Sequence, residues 1–414
     1  MSPTAGLAFG GLLLFIALVY SNPGNWFEQE PVPFAKVAAG LALVALAGSW
    51  LLYGHRLRVG GWAGVCLITM FGLIGLSTLW SPWSSATLST FLDGLKYLAI
   101  FFVTVNVLTS RERIRTFIAT LAWASVIPAL GCIKSWIVGE HLVENGRAGW
   151  IGVFENPNDM AYYLVIGIAM VLTARELAEK RSTRVAFAIA LAPLFFALML
   201  TKSRGGMLAT GAVLFVWCLR WFKHARALAV FAVVVGGLFY SIASSTWKER
   251  TWSSTAYGQD VSAKGRIDAW RTGMNMALDR PWTGVGAGAF MVAWPEYAPG
   301  DAGAARTQHN TFIQLISELG FPGLLLFLTA FATGLAALRG SAGGSVEDAH
   351  IRRGVLCALV GFTVCSLTGG LAYSWPFYLL TGVAVAMGAL RPKRQQASAV
   401  RRDLPQLASV SSGA

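Results

Sequence analysis

His309 opens the stretch HNTFIQLISELGFPG, residues 309–323, where a polar segment runs into an apolar one. An imidazole is the side chain best able to take up a proton near neutral pH, so a general base is the first chemistry to consider there. On residue type alone, the reading of His309 as a helix cap comes first. Arginines stand in comparable places. Arg204 lies in TKSRGG, residues 201–206, a hinge of a few residues between two apolar runs. A cation near membrane depth costs a few kcal/mol and is tolerated against an anion or in a wet cavity. Gly205 and Gly206 leave the backbone uncovered beside it, so a bulky ligand can approach. Arg266 and Arg271 lie in KGRIDAWRTGMNMALD, residues 264–279. Five residues apart on a helix, they need not point at one spot. Arg266 is expected to face the bundle and Arg271 to pair with Asp268 at i,i+3. Guanidinium forks converging on one cavity suit a phosphate or pyrophosphate, whose oxygens they bind in pairs. Such arginines would also hold His309 neutral and ready to accept a proton.

Those residues need elements to hold them. The chain has 414 residues, 55% hydrophobic and 13% charged. A soluble domain of this size would be about a quarter charged. The apolar residues fall into long runs near the roughly 20 residues that cross a bilayer. They occupy about 5–20, 33–53, 62–80, 91–108, 115–138, 160–174, 185–200, 206–222, 227–243, 311–337, 354–370 and 372–390. The expected fold is therefore an all-α polytopic membrane protein of about twelve spans. The division near residue 370 rests on Gly369, Gly370 and Pro376. Residues 1–390 are read as one transmembrane domain, with 244–308 as its long outer loop and 391–414 as a basic, disordered tail. The N-terminal run lacks a leading positive cluster and a clear small-residue cleavage site, so it is read as a retained helix. The five cysteines lie in apolar runs at no metal-ligand spacing and are expected to be buried apolar residues. No metal or cofactor is expected.

The net charge of +13 has a topological explanation rather than a nucleic-acid one. Most of the 33 Lys and Arg residues fall in alternate loops, around 56–58, 111–115, 175–184, 220–226 and 339–353, and in the tail. The positive-inside rule then places both termini in the cytoplasm and residues 244–308 outside. His55, His224 and His350 belong to the inner basic loops. The cations that break the rule are Arg147, Lys202, Arg204, Lys248, Arg250, Lys264, Arg266, Arg271, Arg280 and Arg306. Within the outer loop, Trp270, Met274 and Leu278 recur at four-residue spacing, an apolar stripe suited to the membrane interface. GVGAGAF, residues 284–290, follows a proline turn and lacks the GK[ST] ending, so it is a tight turn rather than a phosphate loop. ENPND, residues 155–159, places Asn156, Asn158 and Asp159 at the outer end of a helix, where Asp159 is readable as a cap.

The pattern H-N, nine residues, G, two residues, G is met by His309, Asn310, Gly320 and Gly323. It resembles that of the bacterial O-antigen ligase family of membrane glycosyltransferases. TKSRGG, ENPND, GRIDAW and DRPWTGVGAGAF also look like this family, and the resemblance spans most of the chain. It implies a GT-C-like fold and an inverting, metal-independent transfer of a glycan from undecaprenyl pyrophosphate to an acceptor hydroxyl on the periplasmic side of a bacterial inner membrane. The acceptor would be lipid A-core in a ligase, a second lipid-linked repeat in an O-antigen or exopolysaccharide polymerase, or a protein in an O-oligosaccharyltransferase. His309 would activate the acceptor, and Arg204 and Arg266 would hold the pyrophosphate. Asn310, Arg271, Arg280, Asn156, Asn158 and Arg147 would contact substrate. The glycines would let a neighbouring helix pack, and Pro322 would kink the helix that follows His309. The partners implied are the lipid-linked donor, the acceptor glycan and membrane lipids, with no nucleic acid. The rival from another class is a transporter. It would usually show internal repeats and ionisable groups at mid-depth, where this sequence offers only Asp93 with Lys96, and Lys134.

Overall fold

The computed structural model describes residues 3–25, 34–143, 146–219, 261–300, 302–340 and 345–390. Its helices are α1 (Pro3–Ser21), α2 (Phe34–Tyr53), α3 (Gly61–Ser77), α4 (Ser84–Val107), α5 (Arg111–Ala124), α6 (Val126–Val138) and α7 (Pro157–Leu177). They continue with α8 (Arg181–Thr201), α9 (Arg204–Cys218), α10 (Val261–Asp279), α11 (Phe290–Tyr297), α12 (Thr311–Gly340), α13 (Val346–Ser366) and α14 (Trp375–Gly388). A two-stranded hairpin, β1 (Leu142–Val143) with β2 (Arg147–Ala148), lies between α6 and α7. Eight stretches of helix are long and apolar enough to cross a membrane, and α3, α9 and α14 are shorter apolar helices. The protein is an all-α polytopic membrane protein. The expected span at 227–243, the loop residues up to 260 with Lys248 and Arg250, and the tail from 391 lie outside the described residues.

Local sequence sets the helix ends. Asn156 caps α7, its Oδ1 accepting from Asn158 N at 2.8 Å, and Pro157 follows at the first position, where its missing N–H costs nothing. Ser203 caps α9, and Ser110 caps α5. Ser345 and Asp348 form a capping box at α13. The apolar run 115–138 is divided at Ser125, because Pro128 has no N–H to donate to the carbonyl of Ala124. The division expected near residue 370 is present, since residues 367–374 link α13 to α14 without helix.

The long helix α7 is buried along nearly its whole length and packs against α8, α5 and α13. The other principal pairs are α1 with α2, α3 with α12, α9 with α13, and α14 with α4 and α12. The chain direction of these helices brings residues 77–84, 138–143, 146–157, 201–204, 279–300, 302–311 and 366–375 to one end of the bundle. The five cysteines are free and buried, as expected.

Candidate functional site at one end of the bundle

The helix α12 is two helical pieces joined at Gly320, whose backbone sits at φ 66°, ψ −169°, a region essentially closed to residues with a side chain. The break comes two residues before Pro322, and it explains itself. In a continuous helix Phe321 N would bond to Ser317 O, and residue 322 would bond to Glu318 O. Pro322 has no N–H, and Phe321 N instead donates to Pro281 O at 2.8 Å. The two released carbonyls take new donors: Val285 N bonds to Ser317 O at 2.9 Å, and Gly286 N to Glu318 O at 3.0 Å. The GVGAGAF segment is thus a turn, as expected, and it is laced onto the broken helix. A Cβ at Gly320 would collide with the Pro281 carbonyl, and one at Gly323 with the Leu319 side chain. The expectation that these glycines admit a neighbouring helix is therefore corrected. Gly320 makes the break and accepts the 281–283 turn.

Glu318 is 1% exposed, one residue after the released carbonyl of Ser317. Its carboxylate accepts from Gly288 N at 2.9 Å and from Gln308 Nε2 at 2.7 Å. Gln308 precedes His309, so Glu318 ties the turn, the broken helix and the backbone beside the histidine into one unit. Sequence reading passed over Glu318 although it lies within the quoted motif. Its single signal was a carboxylate inside an apolar run.

His309 is half-buried and has a left-handed backbone, φ 49°, rare for a residue with a side chain. Such strain concentrates at functional positions. Burial, followed by the positive charges of Arg266 and Arg306, pulls its imidazole down from the usual range to about 4. The ring is therefore neutral at pH 7, as the arginine argument expected, although burial is the larger cause. Thr307 Oγ1 lies 3.3 Å from His309 Nε2. Arg306 was not among the residues assigned to the site from sequence. A Cβ at Gly265 would meet its guanidinium, which places it against the start of α10 beside Arg266.

Asn310 does not orient the histidine. Its Oδ1 caps α12 by accepting from Phe312 N at 2.9 Å and Ile313 N at 3.1 Å, and its Nδ2 donates to Leu367 O at 3.3 Å. An Asn with a free side-chain oxygen ahead of a helix is a natural cap, and capping uses that oxygen fully. Thr311 Oγ1 donates to Gly369 O at 2.8 Å and accepts from Leu371 N at 2.9 Å, which pins the 367–371 segment beside the start of α12. Arg204 begins α9 on the far flank of that segment, where a Cβ at Gly205 would meet Thr368. The 367–371 segment is therefore shared by Gly205, which follows Arg204, and by Asn310 and Thr311, which follow His309.

The remaining assigned residues are placed differently. Arg147 donates to Asn158 Oδ1 at 2.7 Å and to Thr201 O at 3.0 Å, and Ser203 Oγ also bonds to Asn158 Oδ1 at 3.0 Å. Arg147 and Asn158 thus brace the hairpin, α7 and the α8–α9 hinge, and Asn156 is a cap. Arg271 is exposed, whereas Asp268 is buried, and no ion pair joins them; the expected pairing is corrected, because Asp268 turns into the protein while the Arg271 side chain extends to the surface. Trp270, Met274 and Leu278 form the exposed stripe expected of that helix. Arg280 lies 3.5 Å from Asp279. Lys96 pairs with Asp93 at 2.8 Å on an exposed helix face, and Lys134 lines a cavity of about 870 Å³ against α6 and the hairpin. Among the described residues no three His, Cys, Asp or Glu side chains converge as a metal site would require.

Residues 188–328, which include Arg204, Arg266, His309 and Gly320, match the family model described as O-antigen ligase. That stretch is thus similar to an O-antigen ligase domain. This family region ends within the second half of α12, so it contains both the strained histidine and the break that supports it. Beyond it, the chain is 25% identical to the exopolysaccharide production protein ExoQ of Rhizobium meliloti, over 71% of this chain and 70% of that protein. It is 24% identical to the teichuronic acid biosynthesis protein TuaE of Bacillus subtilis, over 92% of this chain and 86% of that protein. The family and these relatives support an O-antigen ligase or polymerase type of function.

Proposed function

We propose that the protein transfers a glycan from a polyprenyl pyrophosphate, undecaprenyl pyrophosphate in bacteria, to an acceptor hydroxyl at the outer face of the cytoplasmic membrane. The observation that carries this reading is the neutral, strained His309 set among Arg266 and Arg306. In the reaction, the acceptor oxygen attacks the anomeric carbon while His309 takes its proton. The bond from that carbon to the pyrophosphate oxygen breaks, and the leaving charge falls to Arg204 and Arg266. Attack from the face opposite the leaving group inverts the anomeric centre. Preorganised donors at a leaving oxyanion contribute roughly 3–4 kcal/mol each in comparable sites.

An imidazole held near pKa 4 is a weak base in the empty site. Bound pyrophosphate opposes the arginine field, so the donor itself raises the basicity of His309 when a base is needed. In the ligase reading the acceptor is lipid A-core. The two relatives are named for exopolysaccharide production and for teichuronic acid biosynthesis, which favours a second reading, a polymerase whose acceptor is another lipid-linked repeat.

The test is a transfer assay with the purified protein and an undecaprenyl-pyrophosphate-linked repeat, with and without lipid A-core. A ladder from the repeat alone supports the polymerase, and product only with lipid A-core supports the ligase. No transfer with either, from protein that is folded by its thermal transition, overturns the glycosyltransferase reading.

A further inference from the structure

A second cavity, of about 280 Å³, opens beside the 367–371 segment and runs between α4, α7, α13 and the start of α14. Its size lies near the lower end of small-molecule sites, about 300–1,000 Å³. Asp159 lines it, together with Tyr97, Tyr163, Tyr373 and Trp375. Asp159 is not the cap of α7, because Asn156 fills that place, and it forms no hydrogen bond or ion pair with the described residues. Trp375 is only 6% exposed, and its Nε1 and the Tyr373 hydroxyl are buried with no hydrogen bond of good geometry, although Tyr373 faces the Glu318 carboxylate and Trp375 faces the Tyr163 hydroxyl. Both donors are therefore poorly satisfied where they stand and would gain from a better-placed acceptor in the cavity. The Tyr163 and Trp375 rings stack, with centroids 5.4 Å apart.

These groups select a class of ligand. A lipid tail would leave the carboxylate and both donors unsatisfied. A phosphate would be repelled by Asp159. A neutral pyranose meets every requirement: its hydroxyls donate to the carboxylate, its oxygens accept from the tyrosine and the indole, and its apolar C–H faces lie on the rings. The place also fits. Gly370 lines the cavity, and a Cβ there would stand 3.4 Å from Gln308 Oε1, on the residue that precedes His309. Tyr162 Oη donates to Thr368 O at 2.9 Å from the cavity side, and Asn310 reaches Leu367 O from the other. The 367–371 segment is thus the wall between the cavity and the histidine.

We propose that this cavity is a subsite for one neutral pyranose ring of the glycan, held by Asp159, Tyr373 and Trp375. The inference rests on the glycosyltransferase reading given above.

The test uses the full-length protein in detergent and, as probe, the lipid-free oligosaccharide released by mild acid from the lipid-linked glycans of the producing cells. At millimolar probe the thermal midpoint of the wild type rises by about 2 °C or more. The H309A variant keeps that rise. The D159A variant and the Y373F/W375F double variant lose it; the double variant starts from a lower midpoint because the smaller ring leaves part of the Trp375 site unfilled, so the shift on adding probe is what is read. No rise in the wild type, or an undiminished rise in D159A, overturns the subsite. Lipid-linked transfer is measured on the same samples, so transfer without a rise removes the subsite alone, and a rise without transfer removes the glycosyltransferase reading. In D159A, a raised KM for the donor assigns the ring to the donor glycan, a raised KM for the acceptor assigns it to the acceptor, and neither overturns the proposal.

Discussion

At one end of the bundle Arg111 is gripped by both oxygens of Asp348, at 2.6 and 3.1 Å, Arg115 meets Glu179 at 2.8 Å, and Glu176 holds His350 and Arg353. Arg113, buried at the same end, gives its donors to the carbonyls of Val107 and Ala5. At the other end Arg147 is satisfied by the neutral oxygens of Thr201 and Asn158, and Arg266 and Arg306 direct their charge at an imidazole. The first end pairs several of its cations with carboxylates and so fixes helices. At the second, Arg280 also lies near a carboxylate, that of Asp279, but Arg266 and Arg306 act on an uncharged imidazole. The same residue type can therefore hold helices together or set the charge state of a neighbour, according to what it faces.

That contrast can be broken by substitution. His309→Ala should lower transfer by about 1,000-fold, the middle of the range for losing a general base, while the thermal midpoint holds. Turnover within tenfold of wild type would remove His309 as the base. Asp348→Ala at the opposite end should do the reverse. Removing one partner of a buried pair costs about 3 kcal/mol, so the unfolding transition should fall while turnover per folded molecule stays constant. Arg204→Lys keeps the charge but loses the fork, and should raise the donor KM by about tenfold with a smaller change in kcat; unchanged donor kinetics would remove Arg204 from the donor site.

The smallest effect is in pH dependence. His309 is held below its ordinary value, so the base form is lost only as pH falls through about 4 in the free enzyme. The acid limb of kcat/KM should lie there, and that of kcat, which reports the loaded site, at higher pH. Arg306→Ala removes part of the field that depresses the imidazole and should move the kcat/KM limb upward. Coincident limbs in the wild type would contradict the idea that bound pyrophosphate restores basicity.

The spans were legible in sequence because crossing a bilayer demands a run of apolar residues that nothing else in the chain imitates. The break near 370 was legible from Gly369, Gly370 and Pro376, and the surface helix from Trp270, Met274 and Leu278. His309 stood out by its junction. What sequence could not deliver was contact across distance. Glu318 reaches Gly288 and Gln308 because a helix breaks at Gly320, and Arg306 meets Arg266 only once the outer segment has folded back. Asn156, Asn158 and Asn310, read from sequence as substrate contacts, are used in capping and bracing, a use that an amide beside a helix start serves equally well.

The lacing of Val285 and Gly286 onto Ser317 and Glu318 also orders events in biosynthesis. The segment that carries Arg266 emerges from the ribosome before its acceptors exist, and until they arrive those amides must be hydrated. It docks only when the first turns of α12 arrive and stop at Gly320. Completion of the reactive end is therefore a late checkpoint in insertion, and a chain halted before residue 318 would present every earlier helix yet no assembled base.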